Sequence, residues 1–212
     1  MKLTLLVIVS LVFSCVTGDR LIRFVANKRI TRALPSTEYE AFQAWFSAQE
    51  TLELVKLNPG IISVEQQGES SGDYLASLTP INFPGLKLSS SVLFAISRDA
   101  PSSRVTVRCN AGSLKQTYEG NPFFANLVSK LTPTVISKTS FGLEAREQSL
   151  VTDAELVIQF NISPWFPVSG DLLEQGGSAA IGTGMEKDLA VFLDKILAIF
   201  ASSPILTESG GR

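Results

Sequence analysis

The chain has no histidine among its 212 residues. That removes every Ser-His or Cys-His nucleophilic pair and the commonest acid–base group at neutral pH. Its two cysteines are Cys15 and Cys109, and Cys15 falls in the leader described below, so no intrachain disulfide and no ordinary zinc site is expected in the mature chain. No lysine is preceded by serine at three residues' distance, which excludes a Ser-x-x-Lys nucleophile. The run Gly177-Ser178-Ala179-Ala180-Ile181-Gly182 resembles the opening of a phosphate loop, but Thr183 stands where that motif needs lysine. Gly182-Thr183-Gly184 fails as a dinucleotide fingerprint, because Lys187 occupies the place of the third glycine. Metal, cofactor and catalytic assignments are therefore all none.

Weaker candidates remain. Glu144/Glu147 and Asp153/Glu155 are carboxylate pairs, read as solvated groups unless a pocket buries them. Cys109 follows Arg108, whose charge would lower a thiol pKa, but adjacent strand residues point to opposite faces. A structural thiol is the expectation. Tyr118, Phe123, Phe124, Trp165 and Phe166 lie in or beside proline-containing segments, where aromatic rings can wall the mouth of a cavity. They are the candidate binding residues, and core packing is the competing role.

These residues need a scaffold, and the scaffold needs an address. Met1-Lys2, the apolar run Leu3 to Val16 and Thr17-Gly18-Asp19 form the pattern of a secretory signal. The apolar core is shorter than the roughly 20 residues of a membrane-spanning helix. Residues 1–18 are read as a cleavable signal peptide, 19–203 as one domain and 204–212 as a flexible tail. The domain is large enough to bury a core. With 18 Lys and Arg against 20 Asp and Glu, nothing in the charge favours nucleic acid. The sequon Asn161-Ile162-Ser163 is weakened by Pro164.

Ile22 to Leu34 alternates apolar and polar residues with period two, which predicts a half-buried strand ended by Pro35. Ser36 is placed to cap a helix carrying Tyr39, Phe42, Trp45 and Phe46, closed by the turn Asn58-Pro59-Gly60. Strands are predicted at Ile61 to Gln67, Asp73 to Thr79, Lys87 to Arg98, Ser103 to Leu114, Ser140 to Gln148 and Thr152 to Ile162. Short turns between neighbours favour antiparallel pairing. Asn121 to Ser137 is interrupted by prolines and left open. Leu189, Phe192, Leu193, Ile196, Leu197 and Phe200 predict an amphipathic helix over Met185 to Ala201, whose Asp194 and Lys195 argue against a membrane span. Gly176, Gly177, Gly182 and Gly184 count against extending that helix back towards Asp171. The order predicts an α+β fold: a curved antiparallel sheet of about seven strands wrapped around a long C-terminal helix, with a helical segment after the first strand.

The stretches FVANKRITRALPSTEYEAFQAWFS, DYLASLTPINFPGLKLSSSVLFAI and NISPWFPVSGDLLEQGGSAAIGTGMEKDLAVFLDKILAIF resemble domain-of-unknown-function family 1997, found in cyanobacteria and plastid-bearing eukaryotes. The resemblance implies a helix-grip architecture similar to the START and Bet v 1 superfamily, a photosynthetic host and no catalytic residues. It directs the leader towards the plastid of a secondary-plastid alga, with secretion or an endomembrane lumen as the alternative. The function expected is a non-enzymatic plastid-associated protein that binds a lipid, pigment or isoprenoid, or assists assembly of a membrane protein complex. Two alternatives stand beside it: a cyclase- or hydratase-type enzyme using carboxylates and tyrosine in a cavity, and a structural partner protein without a ligand.

Overall fold

The computed structural model describes residues 20–67, 72–83, 86–99, 104–122, 133–162 and 169–203. The leader, the sequon's Ser163 and the 204–212 tail lie outside them. The elements are β1 (Arg20–Ala33), α1 (Tyr39–Ala48), α2 (Thr51–Lys56), β2 (Ile61–Gln66), β3 (Asp73–Phe83), β4 (Leu86–Asp99), β5 (Arg104–Cys109), β6 (Lys115–Gly120), β7 (Thr134–Glu144), β8 (Ser149–Ile162) and α3 (Gly170–Ala201). All strands pair antiparallel in one sheet ordered β1-β8-β7-β5-β4-β3-β2, with β6 also paired to β4.

The sheet has eight strands where about seven were expected. The predicted strand Ser103 to Leu114 ends at Cys109 as β5, because Gly112 takes φ +76 in a turn whose Ser113 N–H donates to the Asn110 carbonyl, and the additional strand β6 begins at Lys115, beyond the predicted range. An isolated glycine in a strand pattern permits such a turn without a steric penalty. The predicted break at Ser149-Leu150 falls instead at Ala145 to Gln148, with Gln148 at φ 46, so β8 is longer than its pattern suggested. Ser36 does not cap α1. The helix starts after a turn in which the Glu38 N–H donates to the Pro35 carbonyl, and no side chain caps it.

Helix α3 is 32 residues long and reaches back through all four disfavoured glycines. At 1.5 Å per residue it spans about 48 Å. Ser169 caps its start, its hydroxyl accepting from the Leu172 N–H. The helix runs chiefly along β1, the edge strand. Glu174 accepts from the Arg23 N–H at 2.8 Å, and Ser178, one turn later, accepts from the Val25 N–H at 2.9 Å. These side chains occupy donors that an open sheet edge would otherwise offer to another chain.

Two apolar clusters hold helix to sheet. The larger joins Phe42, Trp45 and Phe46 of α1 to Phe94, Val105, Phe141 and Leu150 of the sheet and to Phe192, Leu193, Ile196 and Phe200 of α3. The smaller joins Ile22, Phe24, Phe160 and Ile162 to Leu173 at the amino-terminal end of α3. At Gly177 the helix approaches so closely that an added Cβ would collide with the Phe24 ring. Gly176 and Gly184 have nothing within 4 Å of such a Cβ. Replacing either with alanine is expected to stabilise the protein by about 0.5–1 kcal/mol, seen as a raised denaturant midpoint, because it removes backbone entropy without a clash.

Arg32 bridges β1 to Asp194 of α3 at 2.7 Å. The hydrogen bonds from Arg32, reinforced by its charge and opposed by partial burial, hold the Asp194 carboxyl below its ordinary pKa. A depressed carboxyl pKa adds stability above the unfolded value, and that stability is lost as pH falls through the folded value. The Asp194 carboxylate is exposed and Arg32 only half-buried, so solvent screening keeps the gain to at most about 1 kcal/mol. Asp194→Asn should therefore be slightly less stable than the parent at pH about 6. The gap should narrow as pH falls below the ordinary carboxyl range of about 4, read by urea unfolding at pH about 6 and at successively lower values.

No helix among the described residues is long and apolar enough to cross a membrane.

Candidate functional site

The strands that carry the large cluster continue beyond it. Inward-facing positions follow from register: Phe141 of β7 opposes Val105 of β5, and Phe94 of β4 opposes Cys109. On β7 the same face therefore carries Val135, Ser137 and Thr139. On β8 it carries Leu156 and Ile158, and on β5 Val107. All of these are only half-buried, although they lie on the face that the helix grips. The physical reason is the placement of α3 over the β1 edge, which leaves β8, β7 and β5 less covered along this stretch. Among the described residues the result is a half-buried, mostly apolar strip, a candidate trough, bordered at one end by the α1 aromatic cluster and along one side by α3.

Arg98 fixes the α1 end. From the inward face of β4 it donates to the carbonyls of Phe46 at 2.7 Å and Gln49 at 2.8 Å, satisfying the carboxy-terminal end of α1, and its guanidinium sits 5.5 Å from the centre of the Phe46 ring. Two inward-facing cations of β1 are also committed, Lys28 to Glu186 at 2.7 Å and Arg32 to Asp194. A third, Arg20, lies at the far end of β1 opposite Ile162, with its guanidinium against Gly170 at the start of α3.

The polar groups on the trough are neutral. Ser137 donates to the Cys109 sulfur at 2.9 Å, and burial raises the thiol pKa against the lowering effect of that hydrogen bond. Cys109 therefore remains protonated, which agrees with a structural thiol, and Arg108 lies on the opposite, exposed face. Thr139 opposes Ala154. Thr152, diagonal to it on the same face, is fully buried with its hydroxyl unpartnered among the described residues. Such a group costs about 1–3 kcal/mol relative to a satisfied one.

Of the five aromatic candidates, only Tyr118 lies within the described residues. It opposes Leu88 on the inward face, is half-buried, and donates to Gln116 Oε1 at 2.9 Å. Burial raises its phenol pKa. Phe123, Phe124, Trp165 and Phe166 lie outside the described residues. The residues that sequence reasoning missed are Ser137 and Thr139. Their signal was present in the alternation Val135, Ser137, Thr139, Phe141, which sets two hydroxyls into an otherwise apolar face.

The carboxylate pairs are elsewhere. Asp153 and Glu155 share the outer face, where Asp153 pairs with both Arg29 and Arg104 and Arg29 also reaches Glu144. Glu147 sits exposed in the β7–β8 turn. Among the described residues no cluster of three or more metal-ligating side chains occurs.

No family model matches the chain, and no curated protein does. Solved structures of similar outline include TTHA0849 from Thermus thermophilus, at 16% identity over 85% of this chain and 99% of that one, with a TM-score of 0.40. Truncated norcoclaurine synthase from Thalictrum flavum is 15% identical over 89% and 99%, with a TM-score of 0.40. Ara h 8.0201 is 14% identical over 83% and 99%, with a TM-score of 0.38. The chain has a helix-grip fold. The strand order, the register and the long helix of the chain itself establish that fold, and the name implies nothing further about activity.

Proposed function

We propose that this protein binds a hydrophobic small molecule, of lipid, pigment or isoprenoid type, without transforming it. The observation that carries the reading is the trough: half-buried Val135 and Leu156 on the gripped face, between Val107 at the margin of the large cluster and Ile158 at the margin of the smaller one. Concave, mostly apolar surfaces with a few neutral polar groups suit such ligands. A cyclase or hydratase would need a carboxylate in the same place, and the four carboxylates singled out in the sequence lie on the outer face or in a turn. Native mass spectrometry of the purified protein, followed by solvent extraction, tests the proposal. A co-purifying apolar molecule released on unfolding is the expected result. A protein that carries none, and takes up no fluorescent hydrophobic probe, overturns it.

The plastid destination is part of the same proposal and rests on the leader and on the sequence stretches that resemble family 1997 alone, since no family model matches the chain. Imaging a tagged full-length copy should show it within the plastid envelope system. Signal confined to the medium or the endomembrane lumen would sink the destination and leave the binding reading intact.

A further inference from the structure

The neutral polar groups on the trough carry an inference about which hydrophobic molecule fits, and it rests on the binding reading above. We propose that the trough selects a ligand whose polar group is an uncharged oxygen, a hydroxyl or a carbonyl, held by Ser137 and Thr139.

Ser137 donates its hydroxyl proton in a hydrogen bond to sulfur, a weak acceptor, and the Cys109 thiol is kept neutral by burial rather than turned into a strong thiolate acceptor. An arriving oxygen would be a better partner. Thr139 stands two residues, roughly 6.6 Å, along β7 on the same face, so a ligand oxygen arriving near this strand meets one hydroxyl or the other, and each can both donate and accept.

The same stretch is poorly suited to an anion. Among the described residues, the cations on the inward face of the sheet are Arg20, Lys28, Arg32 and Arg98. Lys28, Arg32 and Arg98 are engaged, by Glu186, by Asp194, and by the carbonyls of Phe46 and Gln49. Arg20 is out of reach: Ser137 shares a rung with Leu156 and Ala26, and Arg20 lies six residues, roughly 20 Å, further along β1. A carboxylate or phosphate entering between Ser137 and Leu156 would lose its water and gain hydroxyl contacts without a counter-charge, which is unfavourable. A bare hydrocarbon would leave Ser137 on sulfur and gain nothing from either hydroxyl. An uncharged oxygen avoids both penalties.

Three probes of equal chain length separate the outcomes: a long-chain primary alcohol, the corresponding carboxylic acid at mildly alkaline pH, and the alkane. Each is offered to the full chain and scored by native mass spectrometry and by displacement of a fluorescent probe. The alcohol should be held about tenfold more tightly than the ionised acid. Ser137→Ala combined with Thr139→Val should weaken the alcohol by about three- to tenfold and leave the alkane unchanged. Thr139→Ser, which keeps the hydroxyl, should preserve the preference, and thermal melts confirm that each variant is folded. An acid bound as tightly as the alcohol, or a double variant with undiminished alcohol affinity, overturns this inference and spares the binding reading. Failure of all three probes overturns both.

Discussion

Phe141→Ala is expected to lower the stability of the protein by about 3–5 kcal/mol, read as a fall in the urea midpoint at unchanged slope. Phe141 is 1% exposed and stands where three layers meet. Its ring packs edge-on against Phe192 of α3 at 5.0 Å and against Phe46 of α1 at 6.3 Å, while its backbone pairs with β8. Truncation removes apolar area from each contact and leaves a void that a rigid sheet and two anchored helices cannot close. The damage should extend to the trough, because the same cluster borders one end of it. A variant losing less than about 1 kcal/mol would show that the aromatic cluster is not what binds helix to sheet.

Phe24→Ala should cost a similar amount, about 3–5 kcal/mol, but with a different distribution. Phe24 is 3% exposed, meets Phe160 edge-on at 5.1 Å and lies directly beneath Gly177. The amino-terminal half of α3 carries Gly176, Gly177, Gly182 and Gly184, each costing about 1 kcal/mol relative to alanine, so contact with β1 is what holds it helical. Hydrogen exchange should therefore quicken in residues 170–185 far more than in 186–201, where Leu189, Phe192, Leu193 and Ile196 remain packed. The contact is also coupled. Gly177→Ala alone forces a methyl into the ring and should destabilise despite the gain in helix propensity. Joined to Phe24→Leu, which vacates that space, it should cost less than the sum of the two single changes. Strict additivity would mean that the helix and β1 do not meet at this point. Uniform exchange along α3 would mean that its two halves are equally secure.

Most of the fold was legible because period-two and helical spacing report which face of an element is buried. Ile22, Phe24 and Ala26 declared the inward face of β1, and Leu189 to Phe200 declared the gripped face of α3. Boundaries were less legible where one residue decides a turn. The β5–β6 turn hangs on Gly112, and the β7–β8 turn on the left-handed Gln148, which composition gives little reason to single out.

The candidate site was legible only in fragments. Tyr118 was picked for its ring and does face inward, yet Ser137 and Thr139 fell in or beside a segment left open because Pro133 interrupts it. Hydroxyls at alternate positions look the same on a solvated face as on a gripped one. Only pairing to Cys109 and Ala154 shows which face they share.

The sequence by itself determined that no histidine-based pair can form among these residues and which face of β1 and of the carboxy-terminal half of α3 is buried, since both follow from residue type and local period. The tertiary structure alone decided the rest. It made a helix of residues 170–185 against their propensity, because the Phe24 ring beneath Gly177 and the side chains of Glu174 and Ser178 on the edge of β1 outweigh the entropy of the four glycines. By placing that helix along the edge, it also left a strip of β5, β7 and β8 only half-buried among the described residues, and there lies the candidate trough.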